Sequence, residues 1–367
     1  MGHSQHPSTP SRVPELDLRD ALAERCSPEA LDALALELRA ALSGVGFVTV
    51  AGALEPAQLE LAAELRALSR ALFRLPAPQK QALAMVHSGL AWRGWFALGD
   101  ELTAGLRDQK EGYYLGVEHP DAHPLVRAGA PMHGRNPWPP GPAFERFPAV
   151  VAAWMAHMRR VCELLMSLVA RGLGLAPDYF ARRFGDEPTE LFRIFRYPPR
   201  READPDAADA TDAAWGVGEH TDMGFLTALL IDGSPGLEVQ DLDGRWLPVR
   251  PEPGRLVVNV GDMLEVWTRG VYRATPHRVR NDALAGERLS WPYFFDPGWR
   301  QPLDPIPRAE LSALGGPSAG SGRRRWDGLE LASVPPGTRY GDFVWAKISG
   351  VFPELARAVE GRPESTR

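Results

Sequence analysis

The sequence predicts a mainly-β α+β fold: an antiparallel jelly roll preceded by a helical layer and backed by one long helix. Three observations carry this. Short apolar runs recur at 191–197, 225–231, 237–240, 245–249, 255–260, 272–280 and 288–295. Turn signals separate several of them, namely Asp232-Gly233, Asp243-Gly244 and Pro253-Gly254. Before residue 172, by contrast, the apolar spacing is helical. Many short strands at this spacing indicate a double-sheet antiparallel architecture.

Taken in order, residues 1–12 are polar and read as a disordered tail, and Val13-Pro14-Glu15-Leu16-Asp17-Leu18 as a short strand. Ser27-Pro28-Glu29-Ala30 is a helix start, with Ser as N-cap and Pro at the first helical position. That helix runs to about Ser43 with Leu31, Leu34, Leu38 and Leu42 on one stripe, and Phe47-Val48-Thr49-Val50 is a strand. Further helices are expected from about Glu55 to Phe73 and from near Pro78. Residues 89–140 turn to Gly, Pro and aromatic residues without periodicity, which reads either as a covering loop or as a wall of a substrate pocket. The longest helix is expected from Phe144 to about Gly172, with Trp154, Met158, Val161, Leu165 and Leu168 inward and His157 structural. Residues 200–214 are acidic and Ala-rich, a solvated loop or a lid, and 315–325 is a Gly/Ser/Arg-rich loop. A last helix is expected from Tyr340 to about Leu355, packing through Phe343, Val344 and Ile348. The organisation is thus a tail 1–12, a helical and loop region 13–140, a long helix with the jelly-roll core 141–300, and a C-terminal loop and helix 301–367.

Composition narrows the function. The 367 residues carry a net charge of −6 with no long basic run, which disfavours nucleic acid and anionic membrane surfaces as partners. No apolar stretch reaches the roughly 18–20 residues of a membrane span, and Met1 to Pro10 lack an apolar signal core. Cys26 and Cys162 are far apart and form no Cys-x-x-Cys pair, in keeping with a reducing cytoplasm. Small-molecule chemistry is the expectation, and oligomeric state leaves no signal.

The stretch Gly216-Val217-Gly218-Glu219-His220-Thr221-Asp222 leads into the apolar run 225–231. On extended backbone His220 and Asp222 point to one side, roughly 6.6 Å apart, so both can converge on one ion. Imidazole plus carboxylate is two thirds of the facial triad of non-haem Fe(II) sites, which leaves coordination positions open. His119-Pro120-Asp121 repeats the spacing, but its prolines mark a solvated loop. His277 remains as the third ligand candidate. Its segment is expected to form a hairpin with 288–295 through the turn-prone 281–286, which puts Arg288 and Ser290 on one face beside the cavity.

The ordered set His220-x-Asp222, His277 and Arg288-x-Ser290, with Tyr197 closing a strand before Pro198, resembles the 2-oxoglutarate/Fe(II)-dependent dioxygenases of the isopenicillin N synthase-like branch. The similarity runs from Val13-Pro14 through the Gly261-Asp262-Met263 turn to the strand end Phe295-Asp296-Pro297-Gly298. It implies a distorted double-stranded β-helix (jelly roll, cupin-like) with an N-terminal helical layer. It implies Fe(II) on His220, Asp222 and His277, and the distal carboxylate of 2-oxoglutarate on Arg288 with Ser290 and Tyr197. O2 is then the second cosubstrate, and a small metabolite, of the kind met in secondary metabolism, is hydroxylated, desaturated or cyclised with release of succinate and CO2. Phe195 stands where many plant members carry Asn, and 99–105, 132–134 and 136–139 resemble bacterial members, including the ethylene-forming type. In that type the Glu matching Glu101 helps hold a basic amino-acid substrate. Candidate substrate contacts are therefore Arg93, Trp95, Glu101, Arg193, Phe195 and Phe294. Two alternatives stay open: an isopenicillin N synthase-like oxidase that uses no 2-oxoglutarate, and a non-catalytic 2-oxoglutarate-binding sensor.

Overall fold

The computed structural model describes residues 12–103, 105–199, 215–250, 252–281, 286–311, 335 and 337–360. The tail to residue 11, the acidic insertion 200–214 and the loop 315–325 lie outside the described residues, as do the expectations for them. The strands are β1 (Glu15–Asp17), β2 (Phe47–Ala51), β3 (Gly94–Phe96), β4 (Leu102–Thr103), β5 (Leu106–Arg107), β6 (Glu111–Gly116) and β7 (Thr189–Tyr197). They continue as β8 (Trp215–His220), β9 (Leu226–Ile231), β10 (Leu237–Gln240), β11 (Trp246–Pro248), β12 (Leu256–Val260), β13 (His277–Arg280) and β14 (Arg288–Asp296). A major sheet runs β1-β2-β12-β9-β14-β7-β6-β3 and a minor sheet β11-β10-β13-β8, with β4-β5 a small hairpin.

Period-two alternation places the core. On β14, Leu289, Trp291, Tyr293 and Phe295 are buried on the back of the major sheet, where Trp291 Nε1 donates to Ser69 Oγ (2.9 Å) and Tyr293 Oη to Glu190 Oε2 (2.5 Å). Both hydrogen bonds satisfy polar groups that burial would otherwise strand. Helix Phe147–Gly172 buries Trp154, Met158, Val161, Leu165 and Leu168 as its spacing predicts, and packs on helices Pro28–Gly44 and Pro56–Phe73. Ser27 Oγ caps the first of these by accepting from Ala30 N (3.3 Å). Its buried stripe is Ala35, Leu38, Ala41 and Leu42, one turn on from the expected one, because Leu31 and Leu34 sit at the half-exposed end. The long helix starts at Phe147 rather than Phe144, since 142–144 form a separate 3-10 turn. His157 is structural, its Nε2 lying 2.8 Å from the Ala53 carbonyl.

Four expectations need correction. Residues 89–140 are not all loop, because β3 and β6 extend the major sheet beyond β7. β6 is buried along its whole length and β3 has only 3 residues, so neither shows a period of two. The 272–280 strand shrinks to β13, and it does not form a hairpin with β14: β13 pairs with β10 and β8, β14 with β7 and β9. Alternation fixes which face a side chain takes but not which strand lies alongside, and both edges of β14 are already occupied. Gly261-Asp262-Met263 is not a turn but opens helix Asp262–Trp267. The C-terminal helix is two, Tyr340–Val351 and Pro353–Glu360, divided where Pro353 cannot continue the first. Phe343, Val344 and Ile348 are buried as expected.

Candidate active site

The two sheets enclose a cavity of about 630 Å³. Its floor is the alternate face of β7 and β14: Leu191, Arg193, Phe195 and Tyr197 on one strand, Arg288, Ser290, Pro292, Phe294 and Asp296 on the other. The minor sheet supplies the roof through Val217, Leu237, His277 and Val279, with His220 and Asp222 at the exit of β8.

His220 and His277 meet because they are directly opposed on neighbouring strands, His277 on β13 facing His220 on β8. Their ring centroids are 4.2 Å apart, and Phe47 stacks edge-on against His277 at 5.2 Å. Each Nδ1 lies against a carbonyl two residues back: Gly218 O at 2.9 Å for His220 and Thr275 O at 3.1 Å for His277. A carbonyl only accepts, so Nδ1 carries the hydrogen and Nε2 keeps its lone pair. Burial holds both imidazoles below the ordinary histidine value, His277 down to about 4.

Asp222 has left the strand, so it reaches the pair through a loop rather than by the extended spacing expected. Its Oδ2 accepts from Thr227 Oγ1 (2.5 Å) and Asn259 Nδ2 (2.7 Å), which turns Oδ1 towards the two Nε2 atoms at 3.8 and 3.7 Å. Burial works against the ionised carboxyl. The positive charge that the facing imidazoles carry when protonated, together with the two donors, outweighs it and holds Asp222 below the usual carboxylate range. The three ligand atoms lie within 4.8 Å of one another. Two nitrogen lone pairs and an anionic oxygen facing one another repel unless a cation lies between them, and this donor set fits Fe(II). The backbone permits the approach at Gly224, where a Cβ would stand 2.2 Å from Asp296 Oδ1.

Along the cavity floor, Arg288 is 1% exposed and its guanidinium lies 4.5 Å from the Tyr197 ring centroid. Arg288 and Tyr197 are register partners, as are Ser290 and Phe195. Arg288 Nε and Nη1 have no hydrogen-bond partner among the described residues. Buried donors without acceptors are costly, and a carboxylate is the group whose geometry fills a guanidinium fork. The cavity thus fits both the metal and a dicarboxylate cosubstrate.

Of the candidate substrate contacts, Glu101, Arg193, Phe195 and Phe294 line the cavity. Arg93 and Trp95 do not line it. Arg93 Nη1 and Nη2 donate to the carbonyls of Leu115 (2.9 Å) and Met132 (2.8 Å), over Gly116, where a Cβ would meet the guanidinium at 2.2 Å. Burial, then the charge of Arg193, lowers its pKa to about 9. Trp95 Nε1 donates to Glu111 Oε2 (2.9 Å) and its ring borders a second cavity of about 420 Å³. Arg93 precedes β3 and Trp95 lies on it, and their polar groups bond Leu115, Met132 and Glu111 away from the His-Asp-His cluster. The loop copy His119-x-Asp121 is also only half solvated. Asp121 pairs with Arg135 at the surface, but the His119 ring lies 4.6 and 4.9 Å from those of His123 and His133.

Sequence reasoning missed Asp108 and Lys110. Lys110 is buried in the cavity wall, its Nζ 2.7 Å from Asp108 Oδ2 and 3.0 Å from Glu101 Oε2. Asp108 Oδ1 also accepts from the backbone of Gly218 (3.4 Å), so this cluster braces the strand that carries His220. The only trace in the sequence is the charge run Asp108-Gln109-Lys110-Glu111 directly before an aromatic strand.

A double-sheet β fold that holds a His-Asp-His cluster and an unsatisfied buried arginine in one cavity defines a non-haem iron oxygenase. Comparison with known proteins agrees. Residues 188–297 match the 2OG-Fe(II) oxygenase superfamily, and residues 13–141 match the N-terminal family described as non-haem dioxygenase in morphine synthesis. A Dictyostelium discoideum protein named a probable iron/ascorbate oxidoreductase is 37% identical over 338 residues, 88% of this chain and 90% of its own. Clavatol oxidase of Penicillium crustosum is 34% identical over 272 residues, 71% and 78%. A Neurospora crassa protein solved in complex with alpha-KG, 22% identical, has the same fold, with a TM-score of 0.72 over 92% of this chain and 96% of that one. The chain belongs to the 2OG-Fe(II) oxygenase superfamily. It is an Fe(II)- and 2-oxoglutarate-dependent oxygenase acting on a small-molecule metabolite. No helix among the described residues is long and apolar enough to cross a membrane.

Proposed function

We propose that His220, Asp222 and His277 hold the Fe(II), that Arg288 with Ser290 and Tyr197 holds the distal carboxylate of 2-oxoglutarate, and that Glu101, Arg193, Phe195 and Phe294 form the wall facing the prime substrate. The observation that carries this is one cavity with three converging ligand atoms and two partnerless N–H groups of Arg288. When bound, iron and cosubstrate would supply the oxidising power, one oxygen atom of dioxygen ending in succinate and the other in the hydroxylated product or, in a desaturation or ring closure, in water. The chain's own residues do the rest. Thr227 and Asn259 fix the Asp222 carboxylate in one rotamer, and the Gly218 and Thr275 carbonyls fix the imidazole tautomers. Phe195, Phe294 and Val217 keep the cavity apolar, so that a C–H bond is held beside the iron with little water present.

The reaction is a hydroxylation, desaturation or ring closure. Two free cysteines, Cys26 and Cys162, support a cytoplasmic setting. The net charge of −6 supports a small-molecule partner over nucleic acid. Succinate release from 2-oxoglutarate in the presence of Fe(II) tests the assignment. It should be abolished in Asp222→Ala, which removes the only anionic ligand, and wild-type release in that variant would sink the triad.

A further inference from the structure

One buried carboxylate of the cavity has no part in the proposed function. Asp296 closes β14 on the face that carries Arg288, Ser290 and Phe294, and it lines the same cavity. Its Oδ1 accepts from the Phe225 backbone N–H at 2.6 Å. Phe225 ends the turn between β8 and β9 from which Asp222 reaches the two histidines. Gly224 in that turn packs so close to the same oxygen that a Cβ there would overlap it.

The other partner of Asp296 comes from far along the chain. The Tyr340 hydroxyl donates to its carboxylate. Tyr340 is buried at the start of helix Tyr340–Val351, where its own N–H donates to the Gln301 carbonyl (2.9 Å) and that of Gly341 to the Trp299 carbonyl (2.9 Å). The same helix lines the cavity through Val344, Ile348 and Val351. One carboxylate thus bridges the turn that carries a cluster residue and a helix that walls the cavity.

Other groups also hold this turn, and they leave Asp296 a task of its own. Helix Asp262–Trp267 takes the turn's carbonyls, Asp262 N donating to Asp222 O (2.8 Å) and Met263 N to Gly224 O (3.0 Å). Thr227 and Asn259 aim the Asp222 side chain. The Phe225 N–H goes to Asp296, and a buried N–H without an acceptor is costly, so the turn follows the carboxylate. The carboxyl torsion of an aspartate is soft, and a second donor, here Tyr340, restrains it.

We infer that Asp296 and Tyr340 are positioning residues of the metal site: Tyr340 fixes the Asp296 carboxylate, Asp296 fixes the turn, and the affinity of the His-Asp-His cluster for its ion depends on how helix Tyr340–Val351 is seated. The inference rests on the metal assignment proposed above. Ligand sets must be held within about 0.5 Å of their working geometry, and Asp222 is the one anionic member of this set, so a small shift of the turn is felt as lost affinity.

The test is calorimetric titration of the full metal-free chain with Co(II), which takes imidazole and carboxylate ligands. Burial raises Asp296 to about 7, so the titrations are run at about pH 8, where its carboxylate is ionised. Asp296→Ala should raise the Kd by about tenfold or more, as removal of a partner that orients a metal ligand does. Tyr340→Phe, which keeps the ring and the Asp296 charge, should raise it by about threefold or more. Asp296→Asn, whose amide oxygen still accepts from Phe225, should lie between wild type and Asp296→Ala. Tyr293→Phe removes the same kind of hydroxyl-to-carboxylate bond from the opposite face of β14 and should leave the Kd within about twofold of wild type. A general loss of stability would move both tyrosine variants alike. The inference is overturned if Tyr340→Phe falls short of threefold, if Tyr293→Phe weakens binding as much, or if Asp296→Asn is no better than Asp296→Ala, which would make charge and not position the cause. Should Asp296→Ala not fold, the other three variants decide. Unchanged Co(II) binding in Asp222→Ala would overturn the metal assignment itself, and this inference with it.

Discussion

Each metal-site imidazole donates Nδ1–H to a carbonyl two residues behind it, so its one remaining lone pair has a fixed direction, and both point at Asp222 Oδ1. The His-x-Asp spacing was visible in the sequence; the partners that aim these groups were not, because Thr227 and Asn259 come from β9 and β12, neighbours only in space. The same holds for Lys110, whose burial between Asp108 and Glu101 no local pattern discloses. Lys110→Met should leave two facing buried carboxylates uncompensated and destabilise the protein by about 3–5 kcal/mol. Urea denaturation measures this, and a loss under about 1 kcal/mol would mean that the cluster behaves like a surface pair.

At the level of elements, β14 does two jobs through alternation: Arg288, Ser290 and Phe294 face the cavity, while Trp291 fastens the strand to the helical layer through Ser69 and Tyr293 bonds Glu190 on β7. Trp291→Ala should therefore cost about 3–5 kcal/mol in unfolding free energy, with the iron ligands intact. An equally stable variant would place the strand's anchorage elsewhere. The alternation was legible from 288–295 alone. Its neighbours were not, since the turn-prone 281–286 suggested a hairpin, whereas β13 and β14 on either side of it belong to different sheets.

The loop 119–133 yields a pH prediction. Burial lowers His119 to about 3 and His133 to about 4, helped by Arg93 and by neighbouring imidazoles, His133 and His123 for the first and His123 for the second. Folded values below the unfolded value of about 6.5 mean that the unfolded chain binds more protons in that window. The stability from these rings is thus complete above pH 6.5 and is lost as pH falls towards 4. Chemical denaturation should show wild type losing more stability than His119→Gln/His133→Gln between pH 6.5 and 4. Equal losses would contradict the buried placement of the rings.

Over the whole molecule, the class of fold and the members of the His-Asp-His cluster could be read from residues 191–295, where several strands are long enough for a period of two to show and where the three residues lie in order. The substrate side could be read only in part. Arg93 and Trp95 look like pocket residues by composition yet bond Leu115, Met132 and Glu111 away from the cavity, while Arg193 takes the cavity face by the alternation of β7 and Glu101 reaches it from the segment before β4. A two-sheet cavity with a His-Asp-His cluster and a buried arginine on its floor makes one claim above the rest: Arg288 receives one end of 2-oxoglutarate while the other end meets the iron.

Anaerobic titration of the Fe(II)-loaded protein with 2-oxoglutarate, followed by the visible charge-transfer absorption of the chelate, tests that claim most directly. The expected result is a saturable band in wild type, with the half-saturating concentration raised in Arg288→Ala by about 2–5 kcal/mol of lost pairing, or roughly 30- to 4,000-fold. Iron binding without a band, or a band unchanged in Arg288→Ala, would contradict it.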